Sequence, residues 1–121
     1  VVFKMVRPGL FGGETEPGLA AKLTSEFLGT FMLVLTVGCN ALSRSPAAWA
    51  PTSIACTLMV MIYCFGNVSG GHLNPSVTLA ALLSRKISLK LALQYMTVQV
   101  GAGLAAGFCC SAMFQETVVL G

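Results

Sequence analysis

The chain has 121 residues, of which 55% are hydrophobic and only 9% charged, with four acidic residues, seven basic residues, one His and no Asp. A water-soluble domain of this length covers its surface with far more charge, about 25% on average, so most soluble folds are excluded and lipid is the natural solvent. The net charge of +3 comes from short basic clusters rather than a basic surface, which argues against nucleic acid as a partner.

Residues 1–18 carry Pro8-Gly9, Gly12-Gly13 and Pro17-Gly18 and are expected to form an irregular N-terminal arm, with Phe3, Val6, Leu10 and Phe11 beside Lys4 and Arg7 able to touch the membrane interface. The first long apolar run starts near Leu23, exceeds a signal-peptide core and lacks a small-residue cleavage site, so no removable signal peptide is expected. No charge falls between Glu26 and Arg44, which predicts a first membrane-spanning helix over about 20–43. It admits one carboxylate, Glu26, which needs a partner or a water path at that depth.

The uncharged stretch Ser45 to Ser84 would extend about 60 Å as a single helix, twice the hydrocarbon thickness, so it must turn back. Its breaker cluster is Gly66-Asn67-Val68-Ser69-Gly70-Gly71-His72-Leu73-Asn74-Pro75. Before the break, a second span is predicted over about 47–66, with Pro51 in its first turn and Trp49 at the interface. After it, Pro75 to Ser84 yields about 15 Å of helix, half a bilayer, which is the signature of a re-entrant half-helix within a loop at about 67–84. Asn74 is a preferred N-cap, Pro75 suits the first helical position, and Gly70-Gly71 lets the chain approach it in an extended form. A helix starting at mid-membrane aims its partial positive charge at whatever sits there, which disfavours cations, and the Asn74 amide can orient a passing neutral molecule.

Arg85, Lys86 and Lys90 mark the return to the membrane surface, and a third span is predicted over about 88–115. Within it, Gly103-x-x-x-Gly107 offers a small-residue face for close helix packing, and Tyr95 and Gln99, four apart, suit buried hydrogen bonding between helices. The fold class is therefore an all-α membrane protein of three transmembrane helices and one re-entrant half-helix, with 19–116 as its folded unit. Six basic residues (Lys4, Arg7, Lys22, Arg85, Lys86, Lys90) fall on one side and only Arg44 on the other, which predicts an N-terminus on the cytosolic or topologically equivalent side.

The segment Ser69-Gly70-Gly71-His72-Leu73-Asn74-Pro75-Ser76-Val77-Thr78-Leu79 resembles the first Asn-Pro-Ala loop of aquaporins, the major intrinsic proteins. The resemblance continues in Ser25-Glu26-Phe27-Leu28-Gly29-Thr30-Phe31 and in Ile87-Ser88 with Tyr95 and Gln99, covering roughly residues 20 to 115. It implies half of an aquaporin-like bundle, with Asn74, Pro75 and Ser76 at the pore and Gly70, Gly71, His72 and Glu26 bracing the loop. Ser76 stands where the family usually has Ala, and Ile54 falls at the narrow filter where many water-selective members carry an aromatic, so strict water selectivity is not implied. A second loop of this kind and the filter Arg that follows it do not occur in these residues.

Two functions follow as expectations. One is a channel half contributing to passive transport of water or a small neutral solute, needing an inverted second half to make a pore. The other is a non-conducting, aquaporin-derived accessory subunit of a larger membrane complex, such as an energy-transducing one. In either, lipid and a covering protein partner (a second channel half, the rest of a longer chain or a larger membrane complex) are needed, because a lone half exposes Glu26 and the Gly-rich loop to hydrocarbon. An antiparallel homodimer would supply the inverted half, but the basic bias opposes inserting two copies in opposite directions. No nucleophile with a base, no paired carboxylates and no phosphate loop argue for an enzyme, and neither cofactor nor metal is implied. Asn67-Val68-Ser69 matches a glycosylation sequon on the side where it is not expected to be modified. The five cysteines match no CxxC spacing and are expected to be small buried thiols, and the methionines are expected to fill the spans.

Overall fold

The computed structural model describes residues 16–43 and 47–119. Lys4, Arg7 and most of the expected arm, like Arg44, lie outside them. The chain forms α1 (Leu19–Leu42), a single 3₁₀ turn (Ala47–Trp49), α2 (Ala50–Ser69), the short α3 (Pro75–Leu83) and α4 (Leu89–Val119). No strand occurs among the described residues. Three helices, Leu19–Leu42, Ala50–Ser69 and Leu89–Phe114, are long and apolar enough to cross a membrane. Large apolar side chains, among them Met59, Tyr63, Leu104 and Phe108, stand exposed on their outer faces. That is the inside-out surface of an integral membrane protein, where lipid replaces water.

The cross-helix bonds fix how the helices run. Between α1 and α2, Glu26 meets Ser69, Thr36 meets Thr57 at 3.2 Å and Asn40 donates to Ser53 at 2.8 Å, so one number rises as the other falls and the pair is antiparallel. Between α1 and α4, Glu26 meets Gln99 and Cys39 meets Cys110, a near-constant offset that makes them parallel. The short α3 doubles back against α4, with Thr78 beside Gln99. Gln99 lies about 15 Å along α4 from Leu89 at 1.5 Å per residue, and Asn74 about 6 Å further, roughly half way along a span of about 39 Å. The half-helix therefore starts near the middle of the bundle.

The second helix runs through Gly66 to Ser69 instead of stopping at the first glycine. A helical glycine costs about 1 kcal/mol relative to Ala but need not end a helix. The reversal comes at Gly70, whose N–H donates to Gly66 O at 3.0 Å with φ 97°, and at Gly71 with φ 62°, conformations that L side chains rarely adopt. The half-helix ends in a Schellman motif: Lys86 N–H donates to Ala81 O and Arg85 N–H to Leu82 O, both at 2.9 Å, with Arg85 at φ 55°.

Helix α1 packs against both α4 and α2 and is the centre of the bundle. The face of α4 turned inward is Ala92, Tyr95, Gln99, Ala102, Ala106 and Cys110. These recur every three or four residues, and their alanines let α1 approach closely. Gly103 and Gly107, expected to serve close helix packing, take no part in this contact with α1. Both lie off this face, and a Cβ added at either would meet nothing within 4 Å. The cysteines are also less uniform than expected: Cys110 is buried, Cys39 and Cys109 are half-buried, and Cys56 and Cys64 are exposed.

Candidate functional site

The loop 70–74 joins two helices inside the bundle, where its backbone groups cannot reach bulk water and must find partners in the protein. One side chain supplies the partner for two of them, the N–H groups of His72 and Leu73. Glu26, with no exposed surface, receives four donors on its two carboxylate oxygens. Oε1 accepts from Ser69 Oγ at 2.6 Å and from the His72 N–H at 2.9 Å. Oε2 accepts from the Leu73 N–H at 2.7 Å and from Gln99 Nε2 at 2.8 Å. An acceptor-only group with about four lone-pair sites is thereby filled, as a buried carboxylate requires.

A second layer orients the partners of Glu26. Gln99 Nε2 uses its other hydrogen on Thr78 Oγ1 at 2.9 Å, and Thr78 Oγ1 lies 3.1 Å from Asn74 O and 3.2 Å from His72 Nδ1. Tyr95 donates its hydroxyl to Ser69 O at 2.8 Å, and its ring meets the His72 ring edge to face, centroids 5.4 Å apart. Ser69 Oγ also accepts the Gly71 N–H at 3.1 Å. Tyr95, Gln99, Thr78 and Glu26 are all essentially buried, so these bonds form in a low-dielectric interior where an unmade one is costly. Tyr95 and Gln99 thus bond between helices, Tyr95 to the last residue of α2 and Gln99 to Glu26 of α1 and Thr78 of α3.

Leu73 carries the strain of this arrangement. It is a non-glycine residue at φ 51°, a left-handed conformation that branched side chains avoid, yet it is 2% exposed. Two things hold it there: the bond from its N–H to Glu26, and the absence of a side chain at Gly29, where a Cβ would stand 2.4 Å from Leu73 Cδ2.

Asn74 begins the half-helix with an extended backbone, and its Oδ1 accepts the Ser76 N–H at 2.7 Å. That bond settles which way the amide points: the oxygen is taken by the cap, and the NH₂ group is turned away from the helix. Pro75 occupies the first turn, where its missing N–H leaves no bond unmade. Asn74 and Ser76 are exposed and Pro75 half-buried, so this helix start opens on the uncovered side of the bundle. Ile54 is half-buried on α2, beside the Asn40–Ser53 bond and toward the far end of α1 from Glu26.

The residues that sequence reasoning left without roles are Ser69, Leu73, Thr78 and Gly29. Thr78 had a usable signal, since a hydroxyl four residues after an N-cap Asn returns to the cap carbonyl. The others act through contacts between segments far apart in the chain, which spacing does not reveal.

Three spans, a half-helix that starts at mid-bundle and a polar loop held by a buried carboxylate define a helical membrane protein with a re-entrant loop. The family model described as Major intrinsic protein matches residues 13–120. The chain is 36% identical over 101 residues to a probable aquaporin PIP-type 7a of Pisum sativum, covering 73% of this chain and 34% of that protein. It is 33% identical over 106 residues to aquaporin NIP6-1 of Arabidopsis thaliana, covering 83% and 35%, and 35% identical over 101 residues to aquaporin PIP1-2 of Musa acuminata, covering 73% and 38%. No solved structure matches it. The chain belongs to the major intrinsic protein family, and it spans about a third of the length of the curated relatives it matches.

Proposed function

We propose that these residues form one half of a transmembrane pore for water or a small neutral solute, completed by an inverted half that covers the open side of Asn74. The observation that carries this reading is the Asn74 cap. Its oxygen is consumed at 2.7 Å by Ser76 N–H, so the amide hydrogens are presented outward at the positive end of a helix that starts at mid-bundle. Such a group orients a neutral molecule through its oxygen and repels cations and protons. The loop-bracing set is Gly70, Gly71, His72 and Glu26, with Ile54 at the narrow-filter position. The α2 helix has no buried residue, which supports the need for a covering partner. Lys22, Arg85, Lys86 and Lys90 at the shared end of α1, α3 and α4 support an N-terminus on the cytosol-equivalent side.

The test is osmotic swelling of vesicles carrying the protein purified from its own membrane at its native length, set beside Asn74→Asp and empty vesicles. Asp keeps the cap but removes both donors and adds negative charge, so it is expected to fold and to lose permeability. Wild-type permeability at the empty-vesicle level, in folded protein, overturns the pore and leaves the accessory-subunit reading.

A further inference from the structure

We propose that Cys39 and Cys110 are a modification site: a thiol pair that hydrogen peroxide oxidises to an intrachain disulfide tying α1 to α4 at the end of the bundle remote from Lys22, Arg85, Lys86 and Lys90. The inference does not depend on whether a pore is formed. The two sulfurs lie 3.7 Å apart although the residues are 71 positions apart in sequence. Their contact belongs to the same parallel register that brings Gln99 to Glu26, so it is part of the α1–α4 packing and not a chance touch at a frayed end. A disulfide brings sulfurs to about 2.05 Å, a further approach of under 2 Å between helices already in direct contact.

The neighbourhood is shaped around the Cys110 sulfur. Gly38, beside Cys39, lacks a side chain where one would collide: a Cβ there would stand 2.6 Å from Cys110 Sγ. That gap lets the sulfur lie on the α1 backbone, 3.6 Å from Leu35 O. No other described cysteine is so placed. Cys56 and Cys64 are exposed on α2, and Cys109 projects about 100° around α4 from Cys110. Among the described residues no cluster of three metal-ligating side chains occurs, so the pair has no evident role as part of a metal site.

The reaction balances with peroxide as the two-electron oxidant. Cys39 is half-buried and lies within one turn of the end of α1 at Leu42, so it is the sulfur that meets peroxide first. Its sulfur attacks one peroxide oxygen, the O–O bond breaks, and the displaced hydroxide takes the thiol proton as water, leaving a sulfenic acid. The Cys110 sulfur then attacks the Cys39 sulfur. The S–O bond breaks, the S–S bond forms, and the hydroxide leaves with the Cys110 proton as a second water. Two thiols and one peroxide become one disulfide and two waters.

The full protein in lipid vesicles would be treated with hydrogen peroxide, dissolved in detergent containing N-ethylmaleimide to block every remaining thiol, then reduced and labelled with a second alkylating reagent for peptide mass spectrometry. The expected result is the second label on Cys39 and Cys110 together, the first label on Cys56 and Cys64, and, without reduction, a linked peptide two hydrogens lighter than its parts. Gly38→Ala is expected to lower the yield at least several-fold, and Cys39→Ser to leave Cys110 carrying the first label. The proposal is overturned if wild-type Cys39 and Cys110 both carry the first label after peroxide, if Cys110 is linked to Cys109, or if the bridge joins two copies of the chain. The wild-type labelling decides without any variant having to fold.

Discussion

Replacing Glu26 by Gln tests whether this carboxylate holds the loop. The two side chains have nearly the same shape, but Gln presents one oxygen and one NH₂ group where Glu presents two acceptors. Two of the four donors can adjust: the Ser69 hydroxyl can rotate and the Gln99 amide can turn over. The other two cannot, because they are backbone N–H groups, His72 on Oε1 and Leu73 on Oε2. Each oxygen serves one of them, so either orientation of the introduced amide sets an NH₂ group against a buried backbone donor. An unsatisfied buried donor costs about 1–3 kcal/mol, whereas an interhelical side-chain bond in a membrane averages only about 0.6 kcal/mol, so the backbone amide dominates. The folded-to-unfolded ratio is expected to fall roughly 5- to 140-fold at about 1.4 kcal/mol per decade. Unfolding of wild type and variant by SDS in mixed micelles, followed by circular dichroism, measures it. Glu26→Ala strands both backbone donors and is expected to cost about twice as much. A Glu26→Gln variant that unfolds at the wild-type SDS fraction would refute the assignment of Glu26 as the loop's anchor.

Two further substitutions probe the same cluster by the same titration. Tyr95→Phe keeps the ring against His72 but removes the 2.8 Å bond to Ser69 O, for an expected loss of about 0.5–1.5 kcal/mol, and an unchanged midpoint would mean that bond does not contribute. Gly29→Ala places a methyl 2.4 Å from Leu73 Cδ2, where Leu73 is already fixed by its backbone and by Glu26, for an expected loss of about 1–3 kcal/mol. A neutral Gly29→Ala would mean that Leu73 is free to move.

The spans were legible because lipid makes a coarse demand: about 20 apolar residues between charges, with a breaker cluster wherever an uncharged run is too long. The Asn74-Pro75 start was legible for an equally local reason, since the cap bond closes within two residues. What escaped the sequence was the choice among equivalent faces and glycines. Small residues lie on more than one side of α4, and only contact with α1 selects Ala102 and Ala106 over Gly103 and Gly107. Gly66 and Gly70 look alike in sequence, but only the second needs a positive φ, because the chain must turn back toward Glu26 there. The positive φ of Leu73 was invisible for the same reason: nothing local favours it.

That strain is informative about what the loop is for. Glycine at position 73 would relieve a backbone cost of order 1–3 kcal/mol but would forfeit the burial of the Leu side chain, worth about 2–5 kcal/mol. Leu73 instead fills the gap at Gly29 while its N–H is bonded to Glu26. The strained residue therefore fixes the height and direction of the next one, Asn74, from a side chain packed on one side and a carboxylate on the other. Three elements converge on this short loop, with α1 supplying Glu26, α2 Ser69 and α4 Tyr95. The outcome is a half-helix whose start is tied by hydrogen bonds to its neighbours. On the proposed reading, that positioning sets the depth at which a solute meets Asn74, on the exposed side of the half-helix start.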